Sequence, residues 1–572
     1  MEMCIFSLID FIDRDIVLDI MKKSNEKRFI KKGREIVDIN NKVVENAIKY
    51  LNKVEIDESF LDIEYINEEN DKFYEMIGKL KGDNLPVSAF VDKKSGIFKG
   101  GNTKFEKRDI AEKVPCWNPE NCIQCNNCAF VCPHGVIRPY LVDKNDNNVN
   151  GVDSIFPRDY KYAIGVSYKD CTGCGLCSKA CLGKFGNNAI TMEDYDRDKF
   201  REEDYLYLER NNLNKTINSK IKNVKNIGFV EPKFEFSGSC AGCGETPYLK
   251  ALTQMFNNKL FIANATGCSS IYGASVPSFP YSVAWANSLF EDNAEFGLGI
   301  HKGIEIKREK IRKYMEENKD RDELFVKWLD NSNNYDVCLD VYNNLDYSKY
   351  DLLRELKDFI VPKSMWIVGG DGFAYDIGYG GIDHVLSRDD NVNILVLDTE
   401  VYSNTGGQAS KSSQIGSVGK FANTGKINYK KDLARIAMCY PHVYVACVNI
   451  GYDKEHYLKV LKEANEHNGP SIIIAYSPCI EHGIKNGMEH SLDDAKLASE
   501  CGYFLTLRYK PSEEKFYLDS KNVDFSKYEE FLMKENRYVN LKRVNKEEAL
   551  DILEKQKEWS IKRYEYYKRL DN

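Results

Sequence analysis

Eight of the chain's 18 cysteines fall into two runs of one form. Cys122, Cys125, Cys128 and Cys132 precede Pro133, and Cys171, Cys174, Cys177 and Cys181 repeat the same C-x2-C-x2-C-x3-C spacing. Bacterial proteins hold two [4Fe–4S] clusters with this spacing, each run giving three thiolates to one cluster and its fourth cysteine to the other. The expected sets are therefore Cys122, Cys125, Cys128 with Cys181, and Cys171, Cys174, Cys177 with Cys132. Zinc also takes C-x2-C pairs, but seldom three cysteines two apart with a fourth three further on. The second run ends in Cys181-Leu182, where proline is usual; no ligand is lost by this.

A second pattern is suited to phosphate. Gly370-Asp371-Gly372 follows the apolar run Met365 to Val368, and about thirty residues on, Val392 to Leu397 runs into Asp398-Thr399-Glu400-Val401-Tyr402-Ser403-Asn404-Thr405-Gly406-Gly407-Gln408. Glycines let the backbone approach a diphosphate stabilised by amides at a helix start. Asp371 can hold Mg²⁺, with side-chain and carbonyl oxygens of the second loop completing an octahedral site. Gly-Asp-Gly alone is often only a turn; the strand context and the second loop give it weight. No G-x4-G-K-[ST] is present, which excludes a P-loop. A third pattern, Ser239-Cys240-Ala241-Gly242-Cys243-Gly244-Glu245, holds one C-x2-C, which alone fits half a zinc site or a redox pair. Cys268 and Cys479 lie in turn-like strand ends, and spacing does not group them with Cys240 and Cys243. Cys4, Cys116, Cys338, Cys439, Cys447 and Cys501 read as small apolar or incidental residues.

Positioning these groups takes several domains, which 572 residues allow. Residues 1–80, rich in Lys, Glu, Asp, Asn and Ile, read as helical, with the best stripe from Gly33 through Ile36, Val37, Val43, Val44, Ala47 and Ile48. Residues 81–115 form a loop-rich module broken by Gly and Pro. The cysteine runs occupy 116–215. From 225 to 572 the pattern is α/β, with buried parallel strands expected at Leu260 to Ala263, Met365 to Val368, Val392 to Leu397, Val443 to Val448 and Ile472 to Ala475, in a doubly wound sheet. Lys307 to Leu329 reads as one amphipathic helix. A carboxy-terminal helix opens with Asn545 and Glu548 in a capping box, with Ala549, Ile552, Leu553 and Trp559 at helical spacing. His134, His384 and His482 read as structural hydrogen-bonding residues.

Composition narrows the class. The net charge of −8 leaves no basic footprint for nucleic acid, and 42% hydrophobic residues fit an ordered protein. No apolar run reaches the roughly 18 to 20 residues of a membrane helix, and Met1 to Asp10 lacks a basic n-region. The expectation is a soluble protein of a reducing cytoplasm.

Taken together, Phe234 to Gly244, Ile262 to Ser270, Trp285 to Gly297, Gly370 to His384 and Leu397 to Gln408 resemble the carboxy-terminal portion of the pyruvate:ferredoxin (flavodoxin) oxidoreductases. Leu85 to Phe90 and Lys104 to Arg108 resemble that family's EKR domain. The resemblance runs from around Lys31 to the carboxy-terminal helix. It implies a doubly wound thiamine-diphosphate domain beside a ferredoxin-like two-cluster domain, the EKR module between it and a helical tail.

The resemblance also supplies a grouping that spacing left open. It implies that Cys240, Cys243, Cys268 and Cys479 bind a third [4Fe–4S] cluster beside thiamine diphosphate, that Asp371, Thr399 and the Val401 carbonyl hold Mg²⁺ beside Gly370 and Gly372, and that Asn404 lies near the reacting carbon. Pyruvate and coenzyme A are the implied substrates, ferredoxin or flavodoxin the electron acceptor, and a dimeric assembly is expected. The family's pyrimidine domain, with its activating glutamate and substrate-carboxylate grip, has no counterpart here, so a partner chain carrying it is expected. A loop before Ala284-Trp285 is shorter than the family's. Two other readings stand beside this one: an iron–sulfur electron-transfer protein without catalysis, and an oxidoreductase for another 2-oxoacid such as 2-oxoglutarate or oxalacetate.

Overall fold

The computed structural model describes residues 2–8, 12–30, 33–50, 72–78, 80–96, 98, 100–213, 215, 221–274 and 279–571. The chain forms two units, residues 1–70 and 71–572. In the first, helices Glu2–Ser7, Arg14–Phe29 and Arg34–Asn46 follow one another. The Asp13 carboxylate caps the second by accepting from the Asp15 and Ile16 amides at 2.8 and 3.3 Å. Val17 and Val37 are buried, whereas Ile36 and Val43 of the expected stripe are exposed. Lys31 and residues 51–71, within the expected helical tail, lie outside the described residues, as do 275–278 in the shortened loop before Ala284.

The second unit holds the strands. β1 (Lys113–Trp117) pairs antiparallel with β5 (Ile190–Asp194), while β2 (Ile137–Asp143), β3 (Val152–Asp153) and β4 (Tyr160–Val166) make a three-stranded antiparallel sheet in the order β2-β4-β3. The eight cysteines of the two runs flank these strands in short turns and helices. Beyond them come β6 (Leu260–Ala265), β7 (Ala284–Ser288), β8 (Ser364–Gly369), β9 (Asn393–Asp398), β10 (Tyr444–Val448), β11 (Ser471–Tyr476), β12 (Leu507–Lys510) and β13 (Lys515–Leu518). They form one sheet ordered β13-β12-β10-β11-β9-β8-β6-β7. From β7 through β10 the neighbours are parallel; β12 and β13 add an antiparallel edge.

Period-two alternation explains why both faces are covered. Met365, Ile367, Ile394, Val396, Ile472 and Ile474 join one core with helices Asn293–Glu317 and Tyr379–Leu386, whereas Trp366, Val368, Leu395, Leu397, Ile473 and Ala475 join the other with Thr246–Phe256 and Lys454–Glu466. The sheet is doubly wound. The five expected strands are present within a residue or two at each end. β7, β12 and β13 escape a search for apolar runs because each is short and half-exposed along part of its length.

Two helix expectations need correction. Lys307 to Leu329 is not continuous: one helix ends at Glu317, and Asp322 caps a new one, Glu323–Asp330, by accepting from the Leu324 amide at 3.0 Å. The charged Lys319-Asp320-Arg321 turn fits the overall periodicity but supplies the break. Before the last helix, Ala549–Asp571, Asn545 and Glu548 do not form a reciprocal capping box. The Asn545 amide is spent on Leu541 O at 2.9 Å, so the pair meets side chain to side chain at 3.2 Å.

Candidate active site and cluster sites

The two cysteine runs fold into loops of matching backbone. In each, the residue two beyond the first cysteine, Gln124 or Gly173, has positive φ and turns its amide onto that cysteine's sulfur, at 3.4 Å for Cys122 and 3.3 Å for Cys171. Asn126 and Gly175 repeat the left-handed turn two residues later. The Ala189 amide reaches Cys181 Sγ at 3.1 Å.

Cys128 has Cys125, Cys122 and Cys181 near it, and Cys177 has Cys174, Cys132 and Cys171, with Cys128 next after them. Burial pushes the thiols up, to about 12 at Cys171 and about 11 at Cys174, so an electropositive centre is required to hold them as thiolates. The ground for iron–sulfur clusters over zinc is the C-x2-C-x2-C-x3-C spacing of each run.

The remaining chemistry gathers at one edge of the large sheet. β11, β9, β8 and β6 are consecutive and parallel, and their carboxyl ends lead into Cys479, Thr399, Asp371 and Cys268 respectively. This is the crevice position where open α/β sheets hold ligands. A cavity of about 320 Å³ lies there, lined by Glu245, Cys268, Phe290, Gly370, Asp371, Gly372, Thr399, Val401, Tyr402 and Asn404 among others. Cys268 faces Cys479, Cys243 and Cys240, so the sheet brings together the four cysteines that spacing left ungrouped. The approach depends on Gly244: its amide donates to Pro478 O at 3.2 Å, and a Cβ there would lie 2.4 Å from that oxygen.

The oxygens suit a hard cation. Asp371 is buried; its Oδ2 accepts from Ser410 Oγ at 2.5 Å, and its Oδ1 has no hydrogen-bond partner. Burial and the nearby Asp398 push its carboxyl well above the usual range. Thr399 Oγ1 donates to Val401 O at 2.9 Å, which sets the two oxygens side by side at about the separation of adjacent ligands around an octahedral ion with bonds of about 2.1 Å. These residues fit Mg²⁺ with a diphosphate. Asn404 is exposed on the cavity lining.

Several contributors are not visible in the sequence. Glu400, at φ 59°, lies beneath the 399–404 loop, where Lys430 Nζ donates to it and to Asp398 at 2.8 and 2.6 Å, and Arg537 Nη2 donates at 2.9 Å. Against its burial, Lys430 and Arg537 hold Glu400 down at about 2. Glu245 lines the cavity, and burial raises it to about 7 although Tyr272 Oη donates to it at 2.8 Å. The histidines act as bonding posts: His482 Nε2 meets Thr399 O at 2.6 Å, and His134 Nε2 meets Ser239 O at 3.0 Å. His384 does not line the cavity.

Residues 121–185 match a model of a 4Fe-4S dicluster domain, 359–475 the C-terminal thiamine pyrophosphate-binding domain of thiamine pyrophosphate enzymes, and 71–111 the EKR domain of unknown function. The whole chain aligns at 41% identity with 52% of a pyruvate:ferredoxin oxidoreductase from Moorella thermoacetica, and at 38% with 52% of a pyruvate-flavodoxin oxidoreductase from Klebsiella pneumoniae. Over its whole length the chain is thus similar to about half of each of these two oxidoreductases. It is also 38% identical, over the whole chain and 34% of that protein, to the mitochondrial pyruvate dehydrogenase [NADP(+)] of Euglena gracilis. The chain spans about half the length of the first two relatives. A solved 2-oxoglutarate:ferredoxin oxidoreductase from Magnetococcus marinus matches with a TM-score of 0.29 at 16% identity, covering 47% of this chain and 70% of that one. No described helix is long and apolar enough to cross a membrane.

Proposed function

We propose that this chain is the thiamine-diphosphate and iron–sulfur portion of an enzyme that converts pyruvate and coenzyme A to acetyl-CoA and CO2 and passes the electrons to ferredoxin or flavodoxin. The observation that carries the reading is one cavity lined by both Cys268 of the third cysteine set and Asp371 of the diphosphate motif. Such a wall lets a redox centre and a carbon-bond-cleaving cofactor act on the same substrate. Thiamine diphosphate, when bound, supplies a carbon nucleophile and an electron sink, and three [4Fe–4S] clusters supply one-electron acceptors.

In this reading Asp371, Thr399 and the Val401 carbonyl hold Mg²⁺, and the backbone at Gly370 and Gly372 lies along the diphosphate. Asn404 presents its amide to the substrate. Phe290 and Tyr402 narrow the cavity and exclude water, which would divert a reactive carbanion. Cys240, Cys243, Cys268 and Cys479 hold the first acceptor. The Gly242 amide, inside that set, hydrogen-bonds the Cys174 sulfur. The Cys171 set would thus hold the cluster next to that acceptor, and the Cys122 set the cluster beyond it. Contacts to the aminopyrimidine and the substrate carboxylate are assigned to polypeptide other than these 572 residues, supplied by a partner chain.

Anaerobic purification with and without a co-expressed pyrimidine-domain polypeptide tests this by pyruvate- and coenzyme A-dependent reduction of a low-potential dye, beside an iron content near twelve per chain. Turnover with the added polypeptide supports the reading. Full clusters with no turnover in either case would turn it toward electron transfer alone.

A further inference from the structure

The segment Glu106-Lys107-Arg108 lies in the domain of unknown function, and the reaction above leaves it without a task. Its side chains reach in two directions. Lys107 Nζ donates to Asp170 Oδ2 at 2.5 Å, Glu202 Oε1 at 2.8 Å and Ser167 Oγ at 3.1 Å. Asp170 immediately precedes Cys171, and the two carboxylate side chains are only 4% and 6% exposed. The Asp109 amide adds a bond to Lys169 O at 2.7 Å.

On the other side, Arg108 Nη1 donates to Ser237 O at 3.0 Å, three residues before Cys240. Thr103 Oγ1 donates to Glu235 O at 2.9 Å, and Asn102 is bonded twice to Phe279, through its amide at 3.1 Å and its Oδ1 at 2.7 Å. One short stretch thus grips both the loop that carries Cys171 and the segment that leads into Cys240. Those loops meet where His134 bonds Ser239 O and where Thr172 Oγ1 lies 3.4 Å from His134 Nδ1.

We propose that the Glu-Lys-Arg segment is a clamp that fixes the separation between the Cys171 and Cys240 sets, and so sets the gap electrons cross between them. Lys107 and Arg108 are positioning residues, acting through their bonds to Asp170, Glu202, Ser167 and Ser237. The proposal rests on reading both sets as cluster ligands. The physical reason is the tie itself: removing Lys107 Nζ takes away the donor that joins Asp170, Glu202 and Ser167, beside Cys171, to this stretch. Transfer between buried centres falls exponentially with separation, so slack at this seam slows it.

The full chain with reconstituted clusters, reduced chemically and anaerobically, is compared with Lys107→Met, Lys107→Arg and Arg108→Met. Iron content, melting temperature and electron paramagnetic resonance are recorded. Neighbouring reduced clusters at a fixed short separation split and broaden one another's signals. The clamp predicts wild-type iron in both Met variants with loss of the splitting between the Cys171 and Cys240 sets, that between the Cys122 and Cys171 sets remaining, and retention of both in Lys107→Arg. Unchanged splitting with only a lower melting temperature overturns the clamp, leaving a segment that merely stabilises. Iron lost from both Met variants overturns it too, because the segment then serves cluster assembly. A wild-type chain without cluster signals would remove the functional reading, and the clamp with it.

Discussion

Replacing Asp371 by Asn separates the charge of the cation site from its shape. The buried carboxyl has one hydrogen bond and one orphaned oxygen, and burial with Asp398 and Glu400 pushes its pKa well above the usual range. A folded-state value above the unfolded value of about 3.9 means that the group's contribution to stability is full below about pH 4 and is lost as pH rises toward the folded-state value. Each pH unit in that window costs the ligand-free wild type about 1.4 kcal/mol. An amide has no such cost, so ligand-free D371N is expected to exceed the wild type in stability at neutral pH and to approach it as the medium is acidified. Adding Mg²⁺ and thiamine diphosphate reverses the order. At 100 times Kd, ligand stabilises the wild type by about 2.7 kcal/mol. That is ~4 °C for a cooperative unit of roughly 350 residues with an unfolding entropy near 2.1 cal/mol/K per residue. D371N gains little. Thermal scans from about pH 5 to about pH 8, with and without the ligands, read both effects. An equal ligand-induced shift in D371N, or a ligand-free variant less stable than wild type at neutral pH, would refute the argument.

Gly244→Ala pushes a Cβ into Pro478 O and separates Cys243 from Cys479; about four of roughly twelve irons per chain are expected to go, with the signals of the other two clusters retained. Iron analysis that shows no loss contradicts the third cluster. Cys181→Ser is expected to remove the same resonance signal as Cys128→Ser, with no added loss in the double variant; loss of the Cys171 set's signal would undo the crossed pairing. Glu245, raised by burial to about 7, lies above its unfolded value of about 4.3, so its contribution is intact at low pH and lost as pH rises toward about 7. E245Q should therefore flatten the pH dependence of ligand-free stability by about 4 kcal/mol across that window, as measured by urea unfolding; an unchanged slope rejects this.

The cysteine runs and the central strands were legible because each is a local signal: a fixed ligand spacing in one case, an unbroken apolar run in the other. The third cysteine set was not, since Cys268 and Cys479 follow β6 and β11, strands separated in the sheet by β8 and β9. Only the sheet order, decided by crossovers far apart in sequence, brings them together. Family resemblance supplied that grouping where spacing had none. The ionic platform of Glu400, Lys430 and Arg537 was invisible for a similar reason: three charged residues from distant stretches have no pattern until burial forces them to pair. At Lys319 to Asp322 the sequence misled, because amphipathic periodicity survives across a capped break.

The two cluster loops share a backbone but not a means of keeping it. In the first, Gln124 and Asn126 pay for their left-handed turns with side-chain anchors: Gln124 bonds Asp153 O and the Ile155 amide, each at 2.8 Å, and Asn126 bonds Lys225 O and Tyr162 Oη, each at 2.7 Å. In the second, Gly173 and Gly175 adopt the turns without penalty, and a Cβ on either would come within 2.9 Å of Lys113 O or Glu489 Oε2. The repeats have thus lost interchangeability. A glycine grafted into the first loop unties it, and a side chain grafted into the second jams it. One loop is a cast held by its surroundings and the other a joint held by the absence of side chains, so the same exchange read in opposite directions fails for opposite reasons.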